Sequence, residues 1–352
     1  MDADELIESI IRALMFIAGI LGNNWLAITS LPKRRSDIRT NEILLVNLAV
    51  SNLITNCLVD APDTMADFAG RWFLGATFCG IFRFSADLSE TSSLFTTLFI
   101  CAFWHQKLVG SLKRGGAPVQ LENLRLVGCL LAGSWTLSTV FSIPHFFFVS
   151  LEGTNGSHED CVDVFPDALS SQIYDIFFLV LANALPVAGI MVASVQIVVT
   201  LLQNQKRIRS RSSDPAKGAI KENHPERSVS SVSVPDHCKD LKGPSSPAHS
   251  GKTGHKADSG VEAQANPSRP SQMPSKQSTS AHSQVRAAKS VVAVATVVLI
   301  CWVTHLLLRI SNNIQTSSLM MELASYIGAS YTCIIPYIFL HGLKKLSCCR
   351  KS

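Results

Sequence analysis

The sequence predicts an all-α membrane protein: a bundle of seven transmembrane helices, amino terminus outside, with a short amphipathic eighth helix behind the last span. Three observations predict it. Charged residues make up 16% of the 352-residue chain and hydrophobic residues 47%, whereas a soluble protein is about one quarter charged. Apolar stretches of the roughly 20 residues needed to cross a bilayer recur along the chain. Basic residues gather on alternate loops, as the positive-inside rule requires.

Six spans are plain: 6–31, 40–62, 122–149, 171–202, 285–310 and 320–340. The stretch 77–104 is ambiguous, because "IFRFSADLSETSS" sets Arg83, Asp87 and Glu90 ahead of the apolar "LFTTLFICAFW". Loop charges decide for it. With 77–104 counted, Lys33, Arg34, Arg35 and Arg39 fall inside, as do Lys107, Lys113, Arg114 and Arg125, then Lys344, Lys345, Arg350 and Lys351. The outer loops keep Arg71 and, in the second, Glu152, Glu159, Asp160, Asp163 and Asp167. Six spans would put a basic cluster outside.

The organisation that follows is 1–203 for helices one to five, 204–284 for a third inner loop, 285–341 for helices six and seven, and 342–352 for a cytoplasmic tail. The inner loop is Ser, Pro, Lys, His and Gly with hardly an aromatic residue, a composition that cannot bury a core and is expected to be disordered. A net charge of +5 is too small to suggest a nucleic-acid partner. The acidic "MDADE" ahead of the first span is not a cleavable signal, so the first helix is expected to act as its own. The partner that every span implies is the lipid bilayer.

Of ten cysteines, Cys79 and Cys161 alone fall in outer positions, where the compartment is oxidising, and a disulfide between them is expected. Cys57, Cys101, Cys129, Cys301 and Cys333 lie within spans and read as small packing residues. Cys348 and Cys349 follow "HGLKKLS" and are weak palmitoylation candidates. Asn155-Gly156-Ser157 is a glycosylation sequon in an outer loop, while Asn266-Pro267-Ser268 is blocked by its proline.

Several stretches resemble the rhodopsin-like G-protein-coupled receptors: "GN" at Gly22–Asn23, "NLAVSN" in the second span, Trp135, Pro186, "CW" at Cys301–Trp302, and Pro336. The departures are as telling. Asn52 stands where that family has a sodium-binding aspartate, "FWHQ" replaces Asp-Arg-Tyr, Thr304 replaces a proline, and "NPxxY" has become "IPYIF". With "HQKLVGSLKRGGAPVQLENL", "FSIPHFFFVS" and "YTCIIPYIFLHGLKKL", these losses resemble the vomeronasal type-1 receptors and their fish counterparts, the olfactory receptors class A-related. The resemblance implies a chemosensory receptor for a small pheromone or odorant, in the plasma membrane of chemosensory neurons. It further implies coupling to a heterotrimeric G protein of the inhibitory type, without a cofactor. Asn52, Trp302 and Pro336 would carry the conformational switch.

Other classes fit less well. An opsin needs a seventh-span lysine, and 320–340 contains none. Ala86 stands where an aminergic receptor would place an aspartate. Bitter-taste receptors share the plan and the missing motifs and remain the alternative. A transporter would show inverted repeats, and a hydrolase or metal enzyme a ligand-spaced set; His145, His305 and His341 have no such partner in the sequence. A channel is harder to separate, although the basic "QNQKRIRSR" and "QVRAAKS" flanking the inner loop suit a docking protein rather than a pore.

The charges of the third span are the expected ligand site. Descending about 1.5 Å per residue from Cys79, Arg83 lies roughly 6 Å deep, Asp87 about 12 Å and Glu90 about 16 Å, near the midplane of a core about 30 Å thick. Such charges face a bundle interior or a wet cavity, and the alternative is an internal Arg83–Asp87 pair. His305 and Arg309 are expected to approach from the sixth helix. Asp175 and Glu322, near outer helix ends, rank lower.

Overall fold

The computed structural model describes residues 3–32, 38–112, 119–153, 159–212, 276–314, 326–327 and 330–341. The first span is helix α1 (Ala3–Ser30). Ile7, Leu14, Leu21 and Ile28 repeat along its exposed side, while Asn23 is fully buried. Apolar residues outward and an amide inward is the reverse of a soluble helix, and it is what lipid selects.

The second span is α2 (Thr40–Thr55), a π-helical turn (Asn56–Asp60) and α3 (Ala61–Ala69). The wide turn has a cause. Pro62 lacks an N–H, and its ring would strike the carbonyl of Leu58 four residues earlier in a regular α-helix. Gly70 closes α3 with φ +65°, the left-handed conformation favourable to glycine. The fifth span repeats the device: α6 (Ala168–Phe177), a π-helical turn (Phe178–Ala184), then α7 (Leu185–Ser212) with Pro186 at its start.

The third span is α4 (Gly75–Leu112) and the fourth α5 (Leu124–Phe147), whose amino end is capped by the Asn123 side chain accepting from Arg125 N at 3.0 Å. Between the fourth and fifth spans, β1 (Val149–Gly153) pairs antiparallel with β2 (Glu159–Asp163), Leu151 opposite Cys161. The hairpin is an addition to the all-helical expectation. The sixth span lies in α8 (Lys276–Ile314) and the seventh in α9 (330–341). The inner loop expected at 204–284 gives up both its ends to helix, since α7 continues to Ser212 and α8 begins at Lys276. Gln, Lys and Arg are good helix formers and carry the helix past its apolar part.

Five of the described helical stretches are long and apolar enough to cross a membrane: Leu6–Ser30, Thr40–Ala69, Leu124–Phe147, Ala168–Arg207 and Val285–Thr304. Helix α4 is as long, but Arg83, Asp87 and Glu90 interrupt its apolar character. It nevertheless sits at the centre. Leu94, Ile100, Cys101, Phe103 and Leu108 of α4 are buried in one cluster with Leu44 and Leu48 of α2, Ile190 and Ile197 of α7, Val294 and Val298 of α8, and Ile335 of α9. The chain folds as a seven-helix bundle of the rhodopsin-like kind.

Candidate functional site

The hairpin end of the bundle is fixed by the bond between Cys79 of α4 and Cys161 of β2, which packs with Trp72 and Phe82. Helices α4 and α5 approach closely here. A Cβ on Gly80 would lie 2.8 Å from the Phe146 carbonyl oxygen, so only glycine lets the two backbones meet.

Arg83, one turn below Cys79, turns to the hairpin. Its Nη2 donates to the Cys161 carbonyl at 2.6 Å, and its Nη1 stands 3.6 Å from Asp163 Oδ2. Asp163 faces a second base, His145 of α5, whose Nδ1 lies 3.3 Å from Asp163 Oδ1 and 3.5 Å from Asp87 Oδ2. Two bases and two carboxylates therefore join α4, α5 and β2. The Asp87 and His145 side chains are 12% and 8% exposed, and pairing is what makes charge tolerable at that burial.

Tyr174 of α6 closes the group. Its hydroxyl donates to the Phe141 carbonyl at 2.6 Å and lies 3.3 Å from Asp87 Oδ2. One proton serves two acceptors, and the shorter contact takes it. The Tyr174 ring packs 4.9 Å from His145, 5.4 Å from Phe165 and 5.9 Å from Phe178, centre to centre.

The third-span stripe is thus divided among neighbours. Arg83 and Asp87 meet the hairpin, the fourth span and the fifth, and the pairing partner shown for Arg83 is Asp163. Glu90 lies deeper, within electrostatic reach of the buried Tyr331 of α9, as does Asp60. Asp175 is exposed on α6 and lines a cavity beside His145. His305 and Arg309 lie on α8, with side chains outside the described residues; Glu322, Asn155, Cys348 and Cys349 lie outside them altogether.

Below the charged group, Glu90 and Asp60 apart, neutral amides and hydroxyls line the interior. Asn52 Nδ2 donates to Asn23 Oδ1 at 3.2 Å, and Ser93 Oγ donates to Asn52 Oδ1 at 3.0 Å. Asn23 Nδ2 donates to the Thr332 carbonyl at 3.0 Å. Asn52 therefore ties together spans one, two and three, and through Asn23 the seventh. Trp302 packs 6.1 Å from Tyr331, and a Cβ on Gly22 would lie 2.9 Å from Pro336, so the seventh span touches the first at a glycine.

Sequence reasoning missed His145, Asp163 and Tyr174 as a group, and His145 is not the isolated residue it appeared. The signal for Asp163 was present: two residues past Cys161, it has to follow the disulfide to α4. It also missed Arg12 of α1, which binds Asp63 at 3.0 Å and Asp67 at 2.6 Å.

The family model that matches is the 7 transmembrane receptor (rhodopsin family), over residues 23–339. The chain is 25% identical over 218 residues to neuropeptide Y receptor type 6 of Mus musculus, an alignment covering 58% of this chain and 56% of that protein. It thus spans little more than half of that receptor's length. It is 24% identical over 206 residues to rhodopsin of Orconectes australis, covering 58% of this chain and 67% of that one. A seven-helix bundle with a matching family model over nearly its whole length leaves one conclusion: the chain belongs to the rhodopsin family of seven-transmembrane receptors.

Proposed function

We propose that the chain is a chemosensory receptor that binds a small molecule at the hairpin end of the bundle and activates a heterotrimeric G protein, of the inhibitory type, at the cytoplasmic face of the plasma membrane. The observation that carries this reading is the group Arg83, Asp163, His145 and Asp87, which joins the loop hairpin to two helices through exchangeable charge contacts. A ligand that takes over one of these contacts changes the relative stability of two packings, which is all that a conformational switch requires. In this reading Asn52, Trp302 and Pro336 transmit the change, because they sit where spans one, two, three, six and seven meet.

The family resemblance set out from "FSIPHFFFVS" and the altered "IPYIF" supports the chemosensory assignment. Light sensing through a retinal Schiff base is unsupported, as 320–340 holds no lysine. The test is a screen of small acids, amines and steroids on cells expressing the chain with a promiscuous G-protein reporter. A concentration-dependent response, lost in an Asn52→Ala, Trp302→Ala double variant that still reaches the surface, is expected. Silence across all three classes with surface receptor confirmed, or full signalling by the double variant, contradicts the reading.

A further inference from the structure

His145 is the member of the hairpin group whose charge changes most readily, because histidine ordinarily titrates between about pH 5 and 8. We infer that His145 is a proton-operated clasp. Protonated, it holds the loop hairpin to α4 and α5; as pH rises and the proton leaves, the hairpin loosens. The clasp is a property of the folded chain and needs no ligand, so it stands or falls apart from the receptor reading.

Its basis is geometric. His145 Nδ1 lies 3.3 Å from Asp163 Oδ1 on β2 and 3.5 Å from Asp87 Oδ2 on α4. Two carboxylates from separate elements thus face each other across one nitrogen. The other cation of the group, Arg83, stands 3.6 Å from Asp163 Oδ2. With His145 charged, two cations match two carboxylates. With His145 neutral, one negative charge is left over, and like charges meet where burial makes that costly.

The remaining neighbours add to the bias. Asp167, the cap of α6, and Asp175 within it bound the same open cavity as His145 and Asp163. That cavity, of about 430 Å³, gives water and protons a path to the group. The Tyr174 and Phe165 rings lie 4.9 and 5.6 Å from the imidazole, centre to centre, and aromatic rings favour a nearby cation. The Tyr174 hydroxyl is committed to the Phe141 carbonyl at 2.6 Å.

Hydrogen bonding alone does not choose between the two forms. With Nδ1 directed at carboxylates it carries a proton in both, and the buried Nε2 has no hydrogen-bond partner. Nε2 is therefore an unmet acceptor in one form and an unmet donor in the other. Charge is what separates them. A fold that prefers the charged imidazole gains stability from it in acid and loses that stability as pH rises through the titration. Aspartates ordinarily ionise below this window and tyrosines above it. The bond at Cys161 keeps β2 attached in both forms, so the loosening is local to Asp163 and the strand paired with it.

The experiment follows hydrogen exchange and thermal unfolding of the full-length receptor in detergent from about pH 5 to about pH 8, with exchange corrected for its intrinsic pH dependence. In wild type, exchange at Val149–Gly153 and Glu159–Asp163 is expected to quicken roughly tenfold towards the alkaline end, and the unfolding temperature to fall. His145→Gln should flatten both responses, while Asp160→Asn, an exposed acid on β2, keeps the wild-type dependence. If His145→Gln does not fold, Asp163→Asn takes its place and should weaken the response. Hairpin exchange that ignores pH in wild type, or a wild-type response in the His145→Gln or Asp163→Asn variant, overturns the clasp.

Discussion

The two polar regions of the bundle solve burial differently. At the hairpin end, charges meet charges: Arg83, Asp163, His145 and Asp87 come from three elements, and each contact can be exchanged for one with a solute. In the middle, neutral amides and hydroxyls meet one another, with Asn23, Asn52 and Ser93 fully or nearly fully buried. A charge at such depth costs about 2.5–3.5 kcal/mol even on the lenient insertion scale, and neutral groups avoid most of that cost while still linking helices. In the proposed function the first region recognises the ligand and the second transmits the change.

The largest expected effect comes from the bond that creates the first region. Cys79→Ala frees β2 from α4, and losing a native disulfide typically costs about 2–5 kcal/mol. Surface abundance should fall severely, with Arg83 and Asp163 no longer held together; wild-type abundance and thermal stability would show that the hairpin docks without it. Next is Asp87→Ala, which leaves His145 beside a buried void. Breaking a buried pair costs about 3–5 kcal/mol when one partner is removed, and the partial exposure here puts the effect at the low end. Thermal unfolding of the purified variant measures it.

In the neutral region Asn52→Ala removes a donor to Asn23 and an acceptor for Ser93. Leaving those groups unsatisfied costs about 1–3 kcal/mol, and Asn52→Asp should not rescue stability at neutral pH, because a charge would enter a neutral network. The smallest effect belongs to Asp167, an exposed cap. Its folded pKa is depressed by the Ser170 N–H, so its contribution is present above the ordinary carboxylate range and is lost as pH falls through it. Faster amide exchange at Leu169–Ser171 in Asp167→Ala, matched by wild type in acid, is the expected signature.

Much of the frame was legible from residues. The apolar spans, the disulfide and the polar stripe of the third span were each readable by one local rule, and Pro62 and Pro186 account for the two wide turns. The hairpin was not. "VSLEG" alternates apolar and polar residues over four positions only, "EDCVD" does not, and their pairing depends on the disulfide and on backbone bonds that leave no pattern in the sequence. Arg83 shows the same limit. Helical spacing suggests Asp87 as its partner, yet its hydrogen bond goes to Cys161, 78 residues away. His145 had no ligand-spaced neighbour in sequence, because both of its carboxylates come from other elements. Local spacing identifies which side chains are polar at depth, and tertiary packing decides which of them meet.

The contrast between the regions is tested most directly by dose–response curves for the strongest agonist from the screen, at matched surface density, in Arg83→Ala and Glu90→Gln. If the charged face recognises the ligand, at least one variant shifts potency tenfold or more, or abolishes the response, while both reach the surface near wild-type level. Unchanged potency in both would make the third-span charges structural and put the recognition site elsewhere in the bundle.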